Sequence, residues 1–424
     1  MRRVRSAAGA VAVLAVGAAG ATVVMRPRPV VAPAAPPAAW SAAPVASAGL
    51  PSGGLVHTCL LLTSGQAFCW GTNNYAQLGN GTNRPSLLPR AVTADSPLVQ
   101  IDAGDSHTCA VTRGGTVLCW GLAARGQIGP ARDATCIAGG LPYPCEPAPR
   151  AVPGLPAMRT VGGGADHSCA LAANGVAWCW GANDRGQLGR GLDPGSYPAR
   201  AVSGRPRFAS LSIGQFHNCG VTPGGEVLCW GWNVYGQLGT TLGGERCGPN
   251  PWSPTPCRNL PVRAEARVRF TAVATGAKHT CALAADSTAY CWGANRLGQL
   301  GTGDTASAKV PKAVAGAHRF RALAAGTDFT CGLSADGVWC WGDNSLGQLG
   351  GTERPTSPTP VHARLSETVT AIGAGAGHAC AILERGAAAC WGAGTAGQLG
   401  NGFRSDNGTP VPVRGDAAQR QRAR

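Results

Sequence analysis

From Leu98 to Val152 the chain alternates short apolar runs with Gly-rich breaks: "LVQIDAG", then "HTCAVT", "RGG", "TVLCWG" and a loop closing on "GQIG". Runs of this length with period-two alternation predict β-strands, because successive strand side chains point to opposite faces. Setting Cys109 opposite Cys119 puts Val111 opposite Val117 and Thr112 opposite Thr116, the register of a β-hairpin with a short loop. The P-x-x-V phrases Pro89–Val92 and Pro149–Val152 supply a further strand after the Gly-rich loop.

The pattern returns seven times. "WGTNNYAQLG" starts at Trp70, "WGLAARGQIG" at Trp120, "WGANDRGQLG" at Trp180 and "WGWNVYGQLG" at Trp230. "WGANRLGQLG" follows at Trp292, "WGDNSLGQLG" at Trp341 and "WGAGTAGQLG" at Trp391, with spacings of 50, 60, 50, 62, 49 and 50 residues. A period near 50 marks a repeat architecture, and three or four short strands per unit describe a propeller blade. Seven blades can close a ring and leave no free sheet edge. The chain is therefore expected to be all-β, a seven-bladed β-propeller with disulfide-stapled blades over residues 49–413. The last copy ends on "TPVPV" (Thr409 to Val413) and the first lacks that strand before Gly54. The two ends are thus expected to meet in one blade.

Eighteen Cys fall into couples. Four couples of the blade repeat are Cys59 with Cys69, Cys109 with Cys119, Cys169 with Cys179 and Cys219 with Cys229. The other three are Cys281 with Cys291, Cys331 with Cys340 and Cys380 with Cys390. Directly opposed Cβ atoms lie about 4.5–5.5 Å apart, so modest pinching closes a disulfide. Zinc is the competing reading, but structural zinc favours close Cys pairs and no C-x-x-C occurs. Two further couples, Cys136 with Cys145 and Cys247 with Cys257, do not repeat. They sit in insertions that account for the two long periods, two blades apart and at the same end of the ring.

Residues that repeat belong to the scaffold. His57, His107, His167, His217, His279 and His378 hold one position, with Phe329 in the seventh copy. They read as structural His hydrogen-bonded to backbone. The seven Gln of the loops read as satisfying backbone groups, and the seven Trp of Trp-Gly as filling the space between blades. Aromatics that do not repeat are the candidate interface anchors: Tyr143, Trp232, Tyr235 and Trp252.

The formal charge of +15 shrinks on inspection. Arg2, Arg3, Arg5, Arg26 and Arg28 lie near the start, and the basic tail 414–424 adds a net three. The body is only mildly basic, so nucleic acid is the disfavoured partner. "MRRVRSAAGAVAVLAVGAAGATVVM" reads as a signal peptide or N-terminal membrane anchor over 1–25, followed by a Pro/Ala-rich linker over 26–48. With this many Cys, the expected address is secreted, periplasmic or cell-surface, with membrane contact only through the N-terminal segment.

The phrase "HTCALAADSTAYCWGANRLGQLG" from His279 resembles the repeat of the regulator of chromosome condensation family, in an exported bacterial-type form. That resemblance spans roughly 49–413. It implies the seven-bladed propeller and a protein–protein interaction platform. It also implies an alternative, guanine-nucleotide exchange on a small GTPase, which an exported, disulfide-bonded chain would not meet. No metalloprotease, nucleophile-elbow, phosphate-loop or EF-hand motif is present. An enzyme hidden on a propeller face would need a cleft with carboxylates of raised pKa. The expectation is a monomeric, non-enzymatic, cofactor-free scaffold that binds a protein partner through the end bearing the two stapled loops.

Overall fold

The register inferred from the cysteines is the one observed: Cys109 faces Cys119, Val111 faces Val117, and the Thr112 amide donates to the Thr116 carbonyl at 2.9 Å. The structure, a computed structural model, describes residues 51–130, 133–191, 198–248 and 254–415. The expected leader and linker, and nearly all of the basic tail, lie outside the described residues, as does Trp252.

Among the described residues every helix-or-strand element is a strand, and the strands form seven antiparallel sheets. The blades are 1 (52–91), 2 (98–151), 3 (158–201), 4 (210–263), 5 (270–313), 6 (320–362) and 7 (369–412). Four strands of each run in chain order outward from an inner strand on the ring axis. Blades 2 and 4 carry a fifth strand, Thr135–Ala138 and Glu245–Cys247, which are the two insertions.

In blade 2 Ala103 pairs with Thr108, and His107 pairs with Gly121. The turn between the first two strands and the loop that follows Trp-Gly therefore share one end of the blade, called the upper end below. The second-to-third-strand turns and the connections between blades share the lower end.

The shared blade expected for the two chain ends does not occur. Ser52–Gly53 is the inner strand of blade 1, and Asn407–Pro412 pairs with the third strand of its own blade 7. Each repeat carries all four strands in order, so none is left over to exchange. Packing closes the ring instead: Leu60, Phe68 and Trp70 of blade 1 share an apolar cluster with Cys380, Ile382 and Val413.

The core lies between blades. Trp120 packs with Cys59, Leu61 and Val92 of blade 1, and the other six Trp-Gly indoles are equally buried. Burying one such ring removes roughly 150–250 Å² from water, an upper bound of about 4–6 kcal/mol each.

All nine cysteine couples expected from the spacing are disulfides, and no free cysteine remains. Cys59 is bonded to Cys69, Cys109 to Cys119, Cys169 to Cys179 and Cys219 to Cys229. Cys281 is bonded to Cys291, Cys331 to Cys340 and Cys380 to Cys390. These seven hairpin couples have Cα atoms 4.0–4.1 Å apart, drawn in from the ~4.5 Å of an ordinary non-hydrogen-bonded pair. The insertion couples, Cys136 with Cys145 and Cys247 with Cys257, stand wider, with Cα atoms 5.8 Å apart. In these two the half-cystines are not cross-strand partners: Cys136 pairs with Tyr143, and Cys247 with Thr255.

Candidate binding face

The repeated polar residues form a belt between blades. His57 Nε2 donates to Thr108 Oγ1 of blade 2 at 2.9 Å, and Thr108 Oγ1 donates to the Gln77 carbonyl of blade 1 at 2.8 Å. Trp120 Nε1 donates to the same carbonyl at 2.9 Å. Because the threonine proton is committed to Gln77, the histidine is the Nε2–H tautomer. The motif recurs from His107 to Ser168, His167 to Asn218, His217 to Thr280, His279 to Thr330 and His378 to Thr58. The backbone partners expected for these histidines are thus replaced by side chains of the next blade. A hydroxyl or amide can both accept from the ring and pass a proton to the carbonyl behind it. Burial pushes the imidazoles of His57, His107 and His217 down to about 3, and those of His167, His279 and His378 down to about 4. They are neutral ties, each engaged with its neighbour.

The loop glutamines do satisfy backbone, as expected, and in doing so they fix the loops of the upper end. Each Oε1 accepts from the amide two residues earlier: Tyr75, Arg125, Arg185, Tyr235, Leu297, Leu346 and Ala396. An invariant side chain thereby fixes the backbone of a variable residue at the upper end. Blades 1 to 4 present Tyr, Arg, Arg and Tyr there, whereas blades 5 to 7 present Leu, Leu and Ala.

Around the aromatic half the side chains touch across blades. Trp232, the last residue of its strand, meets Phe216 edge-on at 5.8 Å and Tyr235 edge-on at 5.6 Å. The Arg185 guanidinium lies 3.9 Å from the Phe216 ring centre and 5.7 Å from that of Trp232, a cation–π arrangement. Burial lowers the Arg185 pKa against the raising influence of Asp184 and Asp166. Arg125 pairs with Asp184, and Lys278 lies 3.9 Å from Asp328 and 6.0 Å from the Tyr235 ring. Trp232 Nε1 is buried with no hydrogen-bond partner among the described residues.

The stapled insertions rise at this end. Thr135–Ala138 turns through Gly139 and Gly140, with φ of 57° and 80°, into Leu141–Ala151. Positive φ at both centres is the two-residue hairpin turn that glycine favours. Tyr143 rests edge-on against Tyr75 of blade 1, at 5.3 Å, and Ile137 and Leu141 are exposed at the tip. The second hairpin joins Glu245–Cys247 to Thr255–Arg263, and its strand bonds back to blade 3 through Asn259 and Gly191.

Two repeat profiles, both described as "Regulator of chromosome condensation (RCC1) repeat", match this chain. One matches residues 64–111, 174–221, 224–283, 286–333 and 336–382, more than half of the chain; the other matches six segments between 98 and 398. The chain belongs to the RCC1 repeat family. It is 28% identical over 268 residues to the mitochondrial RCC1 domain-containing protein RUG3 of Arabidopsis thaliana, covering 62% of this chain and 45% of that one. It is 30% identical over 145 residues to the probable E3 ubiquitin-protein ligase HERC6 of Homo sapiens, covering 33% and 13%. The chain thus spans less than half the length of these curated relatives. Among solved structures, human WBSCR16 matches with a TM-score of 0.70 at 22% identity, covering 82% of this chain and 94% of that one. Yeast RCC1 (Prp20), solved bound to Kap60, matches with a TM-score of 0.71 at 21% identity, covering 93% and 92%.

Of the anchors expected from sequence, Trp232 and Tyr235 come together on this RCC1 propeller, one half-buried and one exposed, while Tyr143 joins Tyr75 at the first hairpin. Arg125 and Arg185 were missed. Their shared signal was the variable position two residues before each glutamine.

Asp102 was missed as well. Its register equivalents on the other inner strands are Ser52, Gly162, Ser212, Ala274, Ala324 and Gly373, so it is the one carboxylate in a layer of small residues. It faces an axial channel of about 460 Å³. Ser52 Oγ donates to it at 2.7 Å and the Gly163 amide at 3.0 Å. Burial outweighs those bonds and pushes its carboxyl up to about 6. Asp105, also raised by burial, accepts from Gln215 Nε2 of blade 4 at 3.0 Å. The axis therefore does hold carboxylates of raised pKa, but both Asp102 oxygens are spent tying blades 1 and 3 to blade 2.

Proposed function

We propose that this chain is an exported, non-enzymatic protein-binding scaffold whose binding face is the upper end of the ring over blades 1 to 4. The observation that carries the reading is the run Tyr75, Arg125, Arg185 and Tyr235, held in equivalent places by Gln77, Gln127, Gln187 and Gln237. Tyr and Arg are the residue types that dominate binding hot spots, because each offers a large contact area with a polar tip. Rigid presentation lowers the ordering cost of association, and the two stapled hairpins flank the run in blades 2 and 4. Nine disulfides with no free thiol support export to an oxidising compartment.

The test is capture of a partner from the native envelope or medium by wild type and by the triple variant R125A/R185A/Y235A. These side chains leave the inter-blade core untouched, so the fold is expected to persist and capture to be lost. Undiminished capture by a folded triple variant places the binding surface elsewhere.

A further inference from the structure

At the lower end, three consecutive blades carry a Phe at the entry to their inner strands: Phe208, two residues before the strand of blade 4, and Phe270 and Phe320, the first strand residues of blades 5 and 6. Each ring is buried against the Trp-Gly indole of its own blade, at 5.8 Å for Trp230, 6.2 Å for Trp292 and 5.6 Å for Trp341. An Arg precedes each Phe and clips to the turn of the blade before: Arg207 to Asn174, Arg269 to Glu226 and Arg319 to Thr288. Blades 2, 3 and 7 begin on Leu98, Met158 and Val369 and have no such Arg.

The clip accounts for Arg269 but not for the charge around it. Between blades 4 and 5 a pocket of about 330 Å³ is lined by Glu226, Arg263, Arg267 and Arg269, with Val227 and Phe270 behind. Glu226 accepts from Arg263 at 3.1 Å and from Arg269 at 3.2 Å. Arg267 is exposed and has no ionic or hydrogen-bonding partner among the described residues. Three guanidinium groups against one carboxylate leave two positive charges facing a concave site. The planar forks of Arg match tetrahedral oxyanions through paired N–H donors, with charge-assisted strength.

We propose that this pocket binds a dianionic oxyanion of the phosphate-monoester class, with Arg267 and Arg263 as its ligands and Arg269 as a positioning residue. The site lies at the end opposite the proposed partner-binding face and stands independently of it. Calorimetric titration of the full disulfide-bonded chain with inorganic phosphate, at ionic strength matched with chloride, tests it. Saturable binding to one site is expected, weakened about tenfold or more by Arg267→Ala and strengthened by Glu226→Gln, which removes the competing carboxylate. A parallel arm with phosphatidate-containing phosphatidylcholine vesicles separates a lipid headgroup from a free ligand. Vesicle binding lost in Arg267→Ala assigns the headgroup, and phosphate binding without vesicle binding assigns a soluble ester. No saturable heat with millimolar phosphate, or equal binding by wild type and Arg267→Ala, overturns the proposal.

Discussion

Phe329 of blade 6 and Ala379 of blade 7 share a buried apolar cluster at the one blade boundary without a histidine tie. Ala379 occupies the place held elsewhere by Thr58, Thr108, Ser168, Asn218, Thr280 and Thr330. Donor and acceptor have been exchanged together for carbon. Replacing both partners is close to neutral, whereas replacing one strands a buried polar group.

That pairing makes a double-mutant cycle decisive. Phe329→His alone buries an unpaired ring and is expected to cost about 1–3 kcal/mol. Adding Ala379→Thr rebuilds the acceptor and recovers part of that loss. Denaturant midpoints of the four proteins measure the interaction energy, and additive losses would show that the belt contributes nothing at this boundary.

Stability is expected to fall on acidification. The six belt histidines have folded-state pKa values of about 3 to about 4, against roughly 6.5 in an unfolded chain. Between those limits the unfolded state binds more protons, so the contribution is complete above pH ~6.5 and is lost as pH drops towards the folded values. Asp102, raised to about 6, acts in the opposite sense, as do the raised Asp105, Asp166 and Asp328. Six groups outnumber four, so the Tm at pH 4.5 should lie below that at pH 7.5. Imidazole NMR signals of the belt should not titrate near pH 6.5.

The two kinds of disulfide should separate experimentally. Removing a blade staple with C109A/C119A is expected to cost about 2–3 kcal/mol by releasing a short closed loop. Removing the hairpin staple with C136A/C145A should leave the ring's melting transition nearly unchanged while exposing residues near Gly139 to proteolysis. Thiol titration of unreduced, denatured protein should find no free sulfhydryl.

A methyl group at Gly104 should be poorly tolerated. Its Cβ would lie 2.6 Å from the Gly164 carbonyl oxygen of blade 3 and 2.6 Å from His107 Cε1, a clash with backbone that cannot step aside. Gly104→Ala is expected to cost about 1–3 kcal/mol or more. Gly114→Ala, in an open turn whose nearest neighbour is 3.9 Å away, should stay within about 0.5 kcal/mol of wild type. Melting temperatures of the two variants check the contrast.

The strand alternation, the Trp-Gly period and the cysteine spacing determined the blade by themselves. Hairpin register is a local property: once Cys109 faces Cys119 the neighbouring pairs follow, and seven equal units leave little freedom but a ring. Even the insertions could be assigned to one end, because strand direction alternates. What lies between blades was not local and was decided only by the tertiary structure. His57 finds its partner at Thr108 and Trp120 finds its acceptor at Gln77, contacts 51 and 43 residues apart in the chain whose chemistry depends on how two sheets are offset. The same distance hid Asp102 on the axis, the clustering of Arg185 with Phe216 and Trp232, and the closing of the ring by packing. Sequence periodicity specifies what every blade shares; which side chains converge depends on how neighbouring blades pack across the buried tryptophans.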